Sequence, residues 1–191
     1  MPSASAHPPP ASAAQGVSTW IERFAPLVVP GARVLDVACG YGRHARFFAG
    51  RGHPVLAVDR DAAALATLSD DARIETAAVD LESGGWPLPD VRYGAIVVTR
   101  YLHRPLFPFL LTALEADGVL LYETFAQGNE AYGRPTNPDF LLQRDELWQV
   151  AQHHLTVVAF EQGFVASPGA VLQRLAAVGP DRPWPPLLSG Q

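Results

Sequence analysis

Short runs of aliphatic and β-branched residues alternate along the chain with segments whose apolar residues recur every three or four positions. Continuous apolar runs of about four to eight residues are typical of buried strands, and the wider spacing is typical of amphipathic helices. The alternation predicts right-handed β–α–β units and a mostly parallel sheet with helices on both faces. We therefore expect an α/β fold arranged as a three-layer sandwich.

The pattern also places the individual elements. The fourth strand contains the apolar run AIVV, which predicts a central position in the sheet. The turn signal Ser167-Pro168-Gly169 joins the last two strands and predicts an antiparallel pair. Strands are expected over residues 33–38, 54–59, 74–80, 93–99, 119–125, 155–164 and 170–177, and helices over residues 17–28, 41–51, 61–68, 105–116 and 144–153.

The two ends of the chain differ in composition from the rest. Residues 1–15 are mainly Pro, Ala and Ser without any charged side chain, which predicts a disordered tail. Residues 180–191 contain four prolines, which predict an extended tail along the surface. We expect a single domain over residues 16–179. No apolar run is long enough for a membrane-spanning helix.

Charge and cysteine content narrow the class of function. A net charge of -5 argues against binding to nucleic acid or anionic membranes, which requires clustered positive charge. A single cysteine cannot form an intrachain disulfide, so we expect a cytoplasmic protein. All 14 basic residues are Arg, which excludes a lysine Schiff base and a Walker-type phosphate loop. The histidine spacings fit no set of metal ligands, so no metal is expected.

The first strand runs into a glycine loop suited to binding a ligand. The stretch from Val34 reads VLDVACGYG and leads into the second expected helix. Gly40 and Gly42 can take backbone angles that other residues resist, and they let a ligand approach the main chain. The loop predicts a site for a nucleotide-like ligand. The alternative is a tight turn that binds nothing.

Acidic residues stand at the ends of the first three strands. Asp36 lies four residues before Gly40, Asp59 ends the second strand and Asp80 ends the third. The carboxyl ends of neighbouring parallel strands meet at one edge of a sheet, so these side chains should face one crevice. Asp36 would repel a pyrophosphate and attract a cation, and the three acids together fit a ligand with a positive centre, a ribose and a purine. The alternative for Asp59 and Asp80 is capping of the turns that follow them.

These residues resemble those of the class I S-adenosylmethionine-dependent methyltransferases, and the resemblance covers most of the chain. The family's first motif runs acid-x-Gly-x-Gly-x-Gly and here begins at Asp36, with Ala38 in place of the first glycine. The segments ACGYGRHARFFA, RYLHRPLFP, LLYETFA and GRPTNPDFLL are similar to a bacterial branch that includes the tellurite-resistance methyltransferases. The resemblance implies a Rossmann-like, seven-stranded sheet of order 3-2-1-4-5-7-6 with strand seven antiparallel.

The resemblance also implies S-adenosylmethionine as cofactor. Asp36 would orient its methionine end through the ammonium group, Asp59 would hold the ribose, and Asp80 with Leu81 would hold the adenine. Cys39 is interpreted as a small packed side chain and not as a nucleophile. The implied cofactor-binding set is Asp36, Ala38, Cys39, Gly40, Gly42, Asp59, Arg60, Asp80, Leu81 and Thr99.

The ends of strands four and five carry the candidates for the acceptor site. Arg100, His103 and Arg104 follow strand four and should face the crevice beside strand one. The alternative for His103 and Arg104 is capping of the helix that begins at Pro105. Glu123 lies in an apolar run, and a buried carboxylate must be paired or protonated. Arg100, His103 and Glu123 are the catalytic candidates, with Glu123 interpreted mainly as an ion-pair anchor for Arg100.

The polar stretch of residues 127–140 is too long for a plain connector and is expected to form a lid that carries Tyr132, Arg134 and Asn137. Several guanidinium groups near one pocket would favour an acceptor with an anionic group. We therefore expect a methyltransferase that acts on a small, anionic acceptor by in-line displacement. Two alternatives are an NAD(P)-dependent oxidoreductase, against which Asp36 counts, and a module that binds S-adenosylmethionine without catalysis.

Overall fold

One seven-stranded sheet organises the computed structural model, which describes residues 16–167, 169–186 and 188. Its order is β3-β2-β1-β4-β5-β7-β6. Strands β1 to β5 pair in parallel, and β7 is antiparallel to both β5 and β6. The predicted strand order and the antiparallel seventh strand are confirmed. The strands are β1 Val34–Val37, β2 Val55–Asp59, β3 Ile74–Ala78, β4 Tyr93–Thr99, β5 Leu114–Phe125, β6 Thr156–Val165 and β7 Ala170–Val178.

Helices cover both faces of the sheet and enclose two apolar cores. On one face Trp20, Phe48 and Leu68 pack around Val34 and the other strand residues that point the same way. On the other face the strand residues, Leu35 among them, pack against the remaining helices. Neighbouring strand residues point to opposite faces, so the sheet supplies both cores and the predicted three-layer sandwich is confirmed. The helices are α1 Thr19–Phe24, α2 Arg43–Gly50, α3 Ala62–Ala66, α4 Phe107–Ala113 and α5 Glu146–Ala151.

Several element boundaries differ from those expected. The helix expected over residues 105–116 is preceded by a 3₁₀ turn and ends at Ala113, because Leu114 already pairs with Tyr93 of β4. The other helices are likewise shorter than expected, and α1 continues as a 3₁₀ turn that contains Pro26. Strand β3 ends at Ala78, so Asp80 lies in the loop beyond the strand. This position matters for the site because loop residues can turn their side chains into the crevice.

The chain ends fall partly outside the described residues. The expected tail over residues 1–15 lies outside them, as do Pro168 of the expected turn and residues 187 and 189–191. The start of the C-terminal tail binds the sheet's far end, where the Asp181 N–H donates to the Ala116 carbonyl at 2.9 Å. Within the described residues, no helix has the length and apolar character needed to cross a membrane.

Candidate active site

The loop between β1 and α2 holds its backbone in the left-handed region at alternate residues. The angle φ is 53° at Ala38 and at Gly40, and 70° at Gly42. Ala38 takes the place of the motif's first glycine and adopts this conformation despite its Cβ, at a cost of about 1 kcal/mol. The Cys39 N–H donates to the Val58 carbonyl at 3.0 Å, which ties the loop to β2. The loop thus exposes main chain at the carboxyl edge of the sheet.

Gly42→Ala should lower the free energy of unfolding by about 2–3 kcal/mol, because a Cβ here adds both backbone strain and overpacking. The added Cβ would lie 2.5 Å from both methyl carbons of Leu68, which is fully buried. Gly40→Ala is the matched control, since a Cβ there meets nothing within 4 Å. Only the strain remains in that variant, and the expected loss is about 1 kcal/mol. Urea denaturation measures both, and equal losses would contradict the packing argument.

Asp36 lies under the glycine loop and does not line either of the cavities described below. It is 1% exposed, and its Oδ2 accepts a hydrogen bond from the Ala45 N–H in the first turn of α2 at 2.9 Å. Burial raises the pKa of this carboxyl to about 7, although the Ala45 hydrogen bond and Arg43 act to lower it. Asp36 thus titrates near neutral pH, and its contact with a ligand's ammonium group stays a prediction.

Asp59 and Asp80 both face a cavity and both also brace the main chain. Asp59 Oδ2 accepts from the Gly40 N–H at 2.8 Å, and its Oδ1 accepts from the Asp61 N–H at 2.9 Å. Asp80 Oδ1 accepts from the Glu82 N–H at 2.9 Å. Both aspartates therefore bond to the turns that follow them, as the capping alternative predicted, and both also line a cavity. Asp59 connects the glycine loop to β2, so the shape of the loop depends on it.

A first cavity of about 450 Å³ opens at the carboxyl ends of β1, β2, β4 and β5. Five of the predicted cofactor residues line it, namely Ala38, Asp59, Arg60, Asp80 and Leu81. The other five, Asp36, Cys39, Gly40, Gly42 and Thr99, lie outside its lining. The rest of its wall comes from Val79, Glu82, Arg100, Tyr101, Leu102, Thr124, Phe125, Pro135 and Phe140.

Cys39 and Thr99 contact protein groups close to this cavity. The Cys39 thiol donates to the Gly40 carbonyl at 3.5 Å, and burial raises its pKa, so it stays protonated. This agrees with a packed side chain and not a nucleophile. Thr99 Oγ1 lies 3.3 Å from His44 Nδ1. Cys39 thus bonds within the glycine loop, and Thr99 contacts α2.

A second cavity of about 310 Å³ adjoins the first, and Arg100 and Phe125 line both. Residues 16–19, which precede and begin α1, form one wall. Three guanidinium groups, those of Arg43, Arg100 and Arg174, and the carboxylate of Glu123 line the rest, together with Ser167 and Leu172. Burial and the charge of Arg100 lower the pKa of Arg43, whereas Glu123 and Asp36 act to raise it. Sequence analysis did not identify Arg43 or Arg174 as site residues.

Arg100 occupies the junction of the two cavities in an unusual backbone conformation. Its φ is 56°, in the left-handed region that non-glycine residues avoid. Its N–H donates to the Glu123 carbonyl at 2.8 Å, which holds this conformation. Strain of this kind costs about 1–3 kcal/mol and occurs most often at functional sites. The junction therefore combines backbone strain with a charged side chain.

Glu123 forms a salt bridge that the sequence did not predict. Arg174 of β7 pairs with it, with Nε 2.8 Å from Glu123 Oε2, and both side chains are largely buried. The sequence predicted Arg100 as its partner; the Arg100 N–H contacts the Glu123 carbonyl as described above, and pairing of the two side chains stays a prediction. Glu123 and Arg174 are directly opposite in the antiparallel β5–β7 register. A lone charge in the apolar strand AVLQRLAAV was the signal that could have revealed Arg174.

His103 and Arg104 are not among the residues that line the two cavities. Arg104 forms a bidentate pair with Glu146 at 2.7 and 2.9 Å and also donates to the Asp139 and Leu141 carbonyls. It thus anchors the segment before α5. His103 precedes a 3₁₀ turn without forming a side-chain capping bond. These contacts give Arg104 a structural role, and acceptor contact by His103 or Arg104 stays a prediction.

Residues 127–140 wall the first cavity through Pro135 and Phe140. The three residues expected to act from this segment, Tyr132, Arg134 and Asn137, are exposed and line neither cavity. Tyr132 packs on Phe164 with ring centroids 4.5 Å apart, and Asn137 caps a 3₁₀ turn. Arg134 is thus absent from the cluster of guanidinium groups expected at the pocket. Lid motion stays a prediction.

His44 is a further site residue that sequence analysis missed. It is 1% exposed, and its Nε2 accepts from the Ser18 N–H at 3.2 Å. Burial, with the charges of Arg43 and Arg100, lowers its pKa to about 3. The ring is therefore neutral with its proton on Nδ1, which faces Thr99 Oγ1. His44 connects residues 16–19, which form a wall of the second cavity, to the end of β4.

The sequence of the central region resembles that of a known protein family. Residues 34–115 match the sequence model of a family described as a methyltransferase domain. This stretch, which is less than half of the chain, is thus similar to a methyltransferase domain. No curated protein sequence matches the chain significantly. In the described residues no three His, Cys, Asp or Glu side chains are grouped so that they could hold a metal ion.

Solved structures share the fold of this chain. TehB from Haemophilus influenzae matches with a TM-score of 0.66 at 18% identity, over 81% of this chain and 60% of TehB. The chain thus spans about 60% of the length of TehB. A TehB-like SAM-dependent methyltransferase from Corynebacterium glutamicum matches with a TM-score of 0.64 at 20% identity, over 88% of this chain and 91% of that one. Both agree with the branch named from the sequence.

A third structure has ligands bound. The 1,6-didemethyltoxoflavin-N1-methyltransferase of Burkholderia thailandensis, solved with 1,6-didemethyltoxoflavin and S-adenosylhomocysteine, matches with a TM-score of 0.62 at 20% identity, over 84% of this chain and 76% of that one. The family match over residues 34–115 and the shared fold agree with the predicted class I methyltransferase that uses S-adenosylmethionine.

Proposed function

We propose that this methyltransferase transfers a methyl group from S-adenosylmethionine to a small molecule that carries an anionic group. The observation that carries the proposal is the meeting of two cavities at Arg100 and Phe125. The first cavity has the acids suited to an adenosyl group, and the second has the guanidinium groups suited to an anion. A methyl group at their junction would face the acceptor directly.

The first cavity would hold the cofactor along the carboxyl edge of the sheet. Asp59 would bind the ribose hydroxyls, and Asp80 with Leu81 would bind the adenine, in the crevice where this class of sheet binds nucleotides. Asp36 would act through its charge beneath the loop on the ammonium group of the methionine end. S-adenosylmethionine brings an activated methyl group, so the residues mainly align the two reactants and exclude water.

The junction residues would orient the acceptor without a dedicated base. Glu123 forms its salt bridge with Arg174, and His103 lines neither cavity. Arg100 would contact the acceptor, and Glu123 would hold Arg174 in place. This arrangement suits an acceptor atom that is already a nucleophile at neutral pH. The overall acidity of the chain supports a free small molecule in the cytoplasm as acceptor, and not nucleic acid or a membrane.

The proposal is tested by label transfer. The protein is incubated with S-adenosylmethionine labelled in the methyl group and a metabolite extract, and the label is followed into small molecules, protein and nucleic acid. We expect label in anionic small molecules, and a strong loss of it with Asp59→Ala but not with the exposed control Asp117→Ala. Label confined to macromolecules would contradict the proposal. Calorimetric binding of NAD instead of S-adenosylhomocysteine would favour the oxidoreductase alternative.

A further inference from the structure

The second cavity carries an excess of positive charge in a protein that is acidic overall. Its lining residues include three arginines and one glutamate, whereas the whole chain has a net charge of -5. Outside the lining, Asp36 acts on Arg43 and Glu161 lies 3.6 Å from Arg174. Arg43 also stands in the first turn of α2, which contains no acidic residue. A helix amino terminus disfavours cations and favours anions, so the local field is suited to a negatively charged ligand.

The cavity has apolar walls besides the charges. Val17 comes from the segment before α1, Phe125 from the end of β5 and Leu172 from β7. Its volume of about 310 Å³ equals that of roughly ten waters at about 30 Å³ each. A bare inorganic anion would leave these apolar walls without contacts. An organic acid of about ten non-hydrogen atoms would use both the charges and the walls.

Residues 16–19 close this cavity and are fixed in place from two sides. The Ser18 N–H donates to His44, and Ser18 Oγ accepts from the Trp20 N–H at 3.2 Å. The Trp20 indole donates to the Leu175 carbonyl of β7 at 3.2 Å. The wall is therefore bonded both to α2 and to the strand that carries Arg174. A preformed wall of this kind lowers the entropy cost of binding a small ligand.

We propose that the second cavity binds the carboxylate of a small organic acid, the acceptor, through Arg43, Arg100 and Arg174, with its apolar part against Val17, Phe125 and Leu172. The proposal rests on the proposed function and names its substrate class. The methionine end of the cofactor does not suit the cavity equally well, because its ammonium group cancels its carboxylate. An anion without such a cation complements the charge excess.

The test uses 4-fluorobenzoate and its neutral analogue 4-fluorobenzamide, observed by fluorine NMR with the protein free and saturated with S-adenosylhomocysteine. Arg43→Gln is compared with Arg51→Gln, an exposed arginine just beyond the far end of the same helix. We expect the benzoate to bind at least about tenfold more tightly than the amide, and Arg43→Gln to weaken the benzoate about tenfold. Arg51→Gln should leave its affinity unchanged.

Three results would overturn the proposal. The first is equal affinity for the benzoate and the amide, and the second is equal benzoate affinity of the two variants. The third is that Arg43→Gln weakens binding of S-adenosylhomocysteine but not of 5′-methylthioadenosine, which lacks the amino-acid end. The last result would assign the guanidinium groups to the cofactor's own carboxylate. Titration of the benzoate into the protein without S-adenosylhomocysteine tests this inference independently of the proposed function. Failure of S-adenosylhomocysteine to bind would contradict the proposed function, whereas the benzoate result decides the inference.

Discussion

Asp36→Asn is expected to stabilise the cofactor-free protein at neutral and alkaline pH. The carboxyl has a pKa of about 7 in the fold against its ordinary 3.8, so the folded state holds this proton more tightly than the unfolded chain. That contribution to stability is complete below about pH 4 and is lost as the pH rises to about 7. The full difference is about 4 kcal/mol. The asparagine variant has no carboxyl to ionise, so it does not lose this stability. Its amide oxygen can still accept from the Ala45 N–H.

Urea denaturation at pH 5 and pH 8 measures this effect. The stability difference between variant and wild type should grow between these pH values, while the control Asp70→Asn, with a side chain 71% exposed, should show less than about 1 kcal/mol at either. A difference that is the same at both pH values would mean that Asp36 is not a buried titrating group.

The same variant should bind the cofactor poorly. A bound ammonium group favours the ionised carboxylate, so wild-type affinity for S-adenosylhomocysteine should rise between pH 6 and pH 8. The asparagine variant should bind about 10- to 100-fold more weakly at pH 8 and show no such rise. A variant with wild-type affinity would show that Asp36 supports only the loop. The gain in stability and the loss of binding together identify a residue kept for function.

Glu123→Gln is expected to lower the free energy of unfolding by about 3–5 kcal/mol. The substitution preserves shape but leaves the largely buried Arg174 without its ionic partner, close to two other arginines. Replacing both members of the pair, as Glu123→Gln with Arg174→Met, should restore much of the loss, because the buried Arg174 charge is then removed together with its partner. Chemical denaturation of the single and double variants measures the coupling.

Glu161→Gln is the matched control for this pair. Glu161 also faces Arg174, at 3.6 Å, but its side chain is 50% exposed. Its loss should cost less than about 1 kcal/mol, as is usual for surface pairs. Equal losses for the two glutamates would mean that the Glu123–Arg174 pair is screened by solvent and does not hold the end of β5.

Local pattern was sufficient to predict the sheet and one side of the site. The apolar run of β4 indicated its central position, and the Ser167-Pro168-Gly169 signal indicated the antiparallel final pair. Asp59 and Asp80 could be placed at one crevice because parallel strands end at a common edge. These inferences needed only strand ends and chain direction, which a single sequence contains.

The second cavity could not be predicted in the same way. Arg174 reaches Glu123 through the register of β5 against β7, and register is set by packing across the whole sheet. His44 looked like an ordinary helix residue until Ser18 was found against its ring. From the sequence, Arg104 was as good a candidate for acceptor contact as Arg100, but its side chain forms a bidentate pair with Glu146. Each of these outcomes depends on contacts between residues far apart in sequence.

A crystal structure of the protein with S-adenosylhomocysteine tests the central claim most directly. The account predicts the adenine at Asp80 and Leu81, the ribose at Asp59, and the sulfur atom at the junction beside Arg100 and Phe125, facing the second cavity. An adenosyl group in the second cavity, or a sulfur atom turned away from the junction, would contradict it.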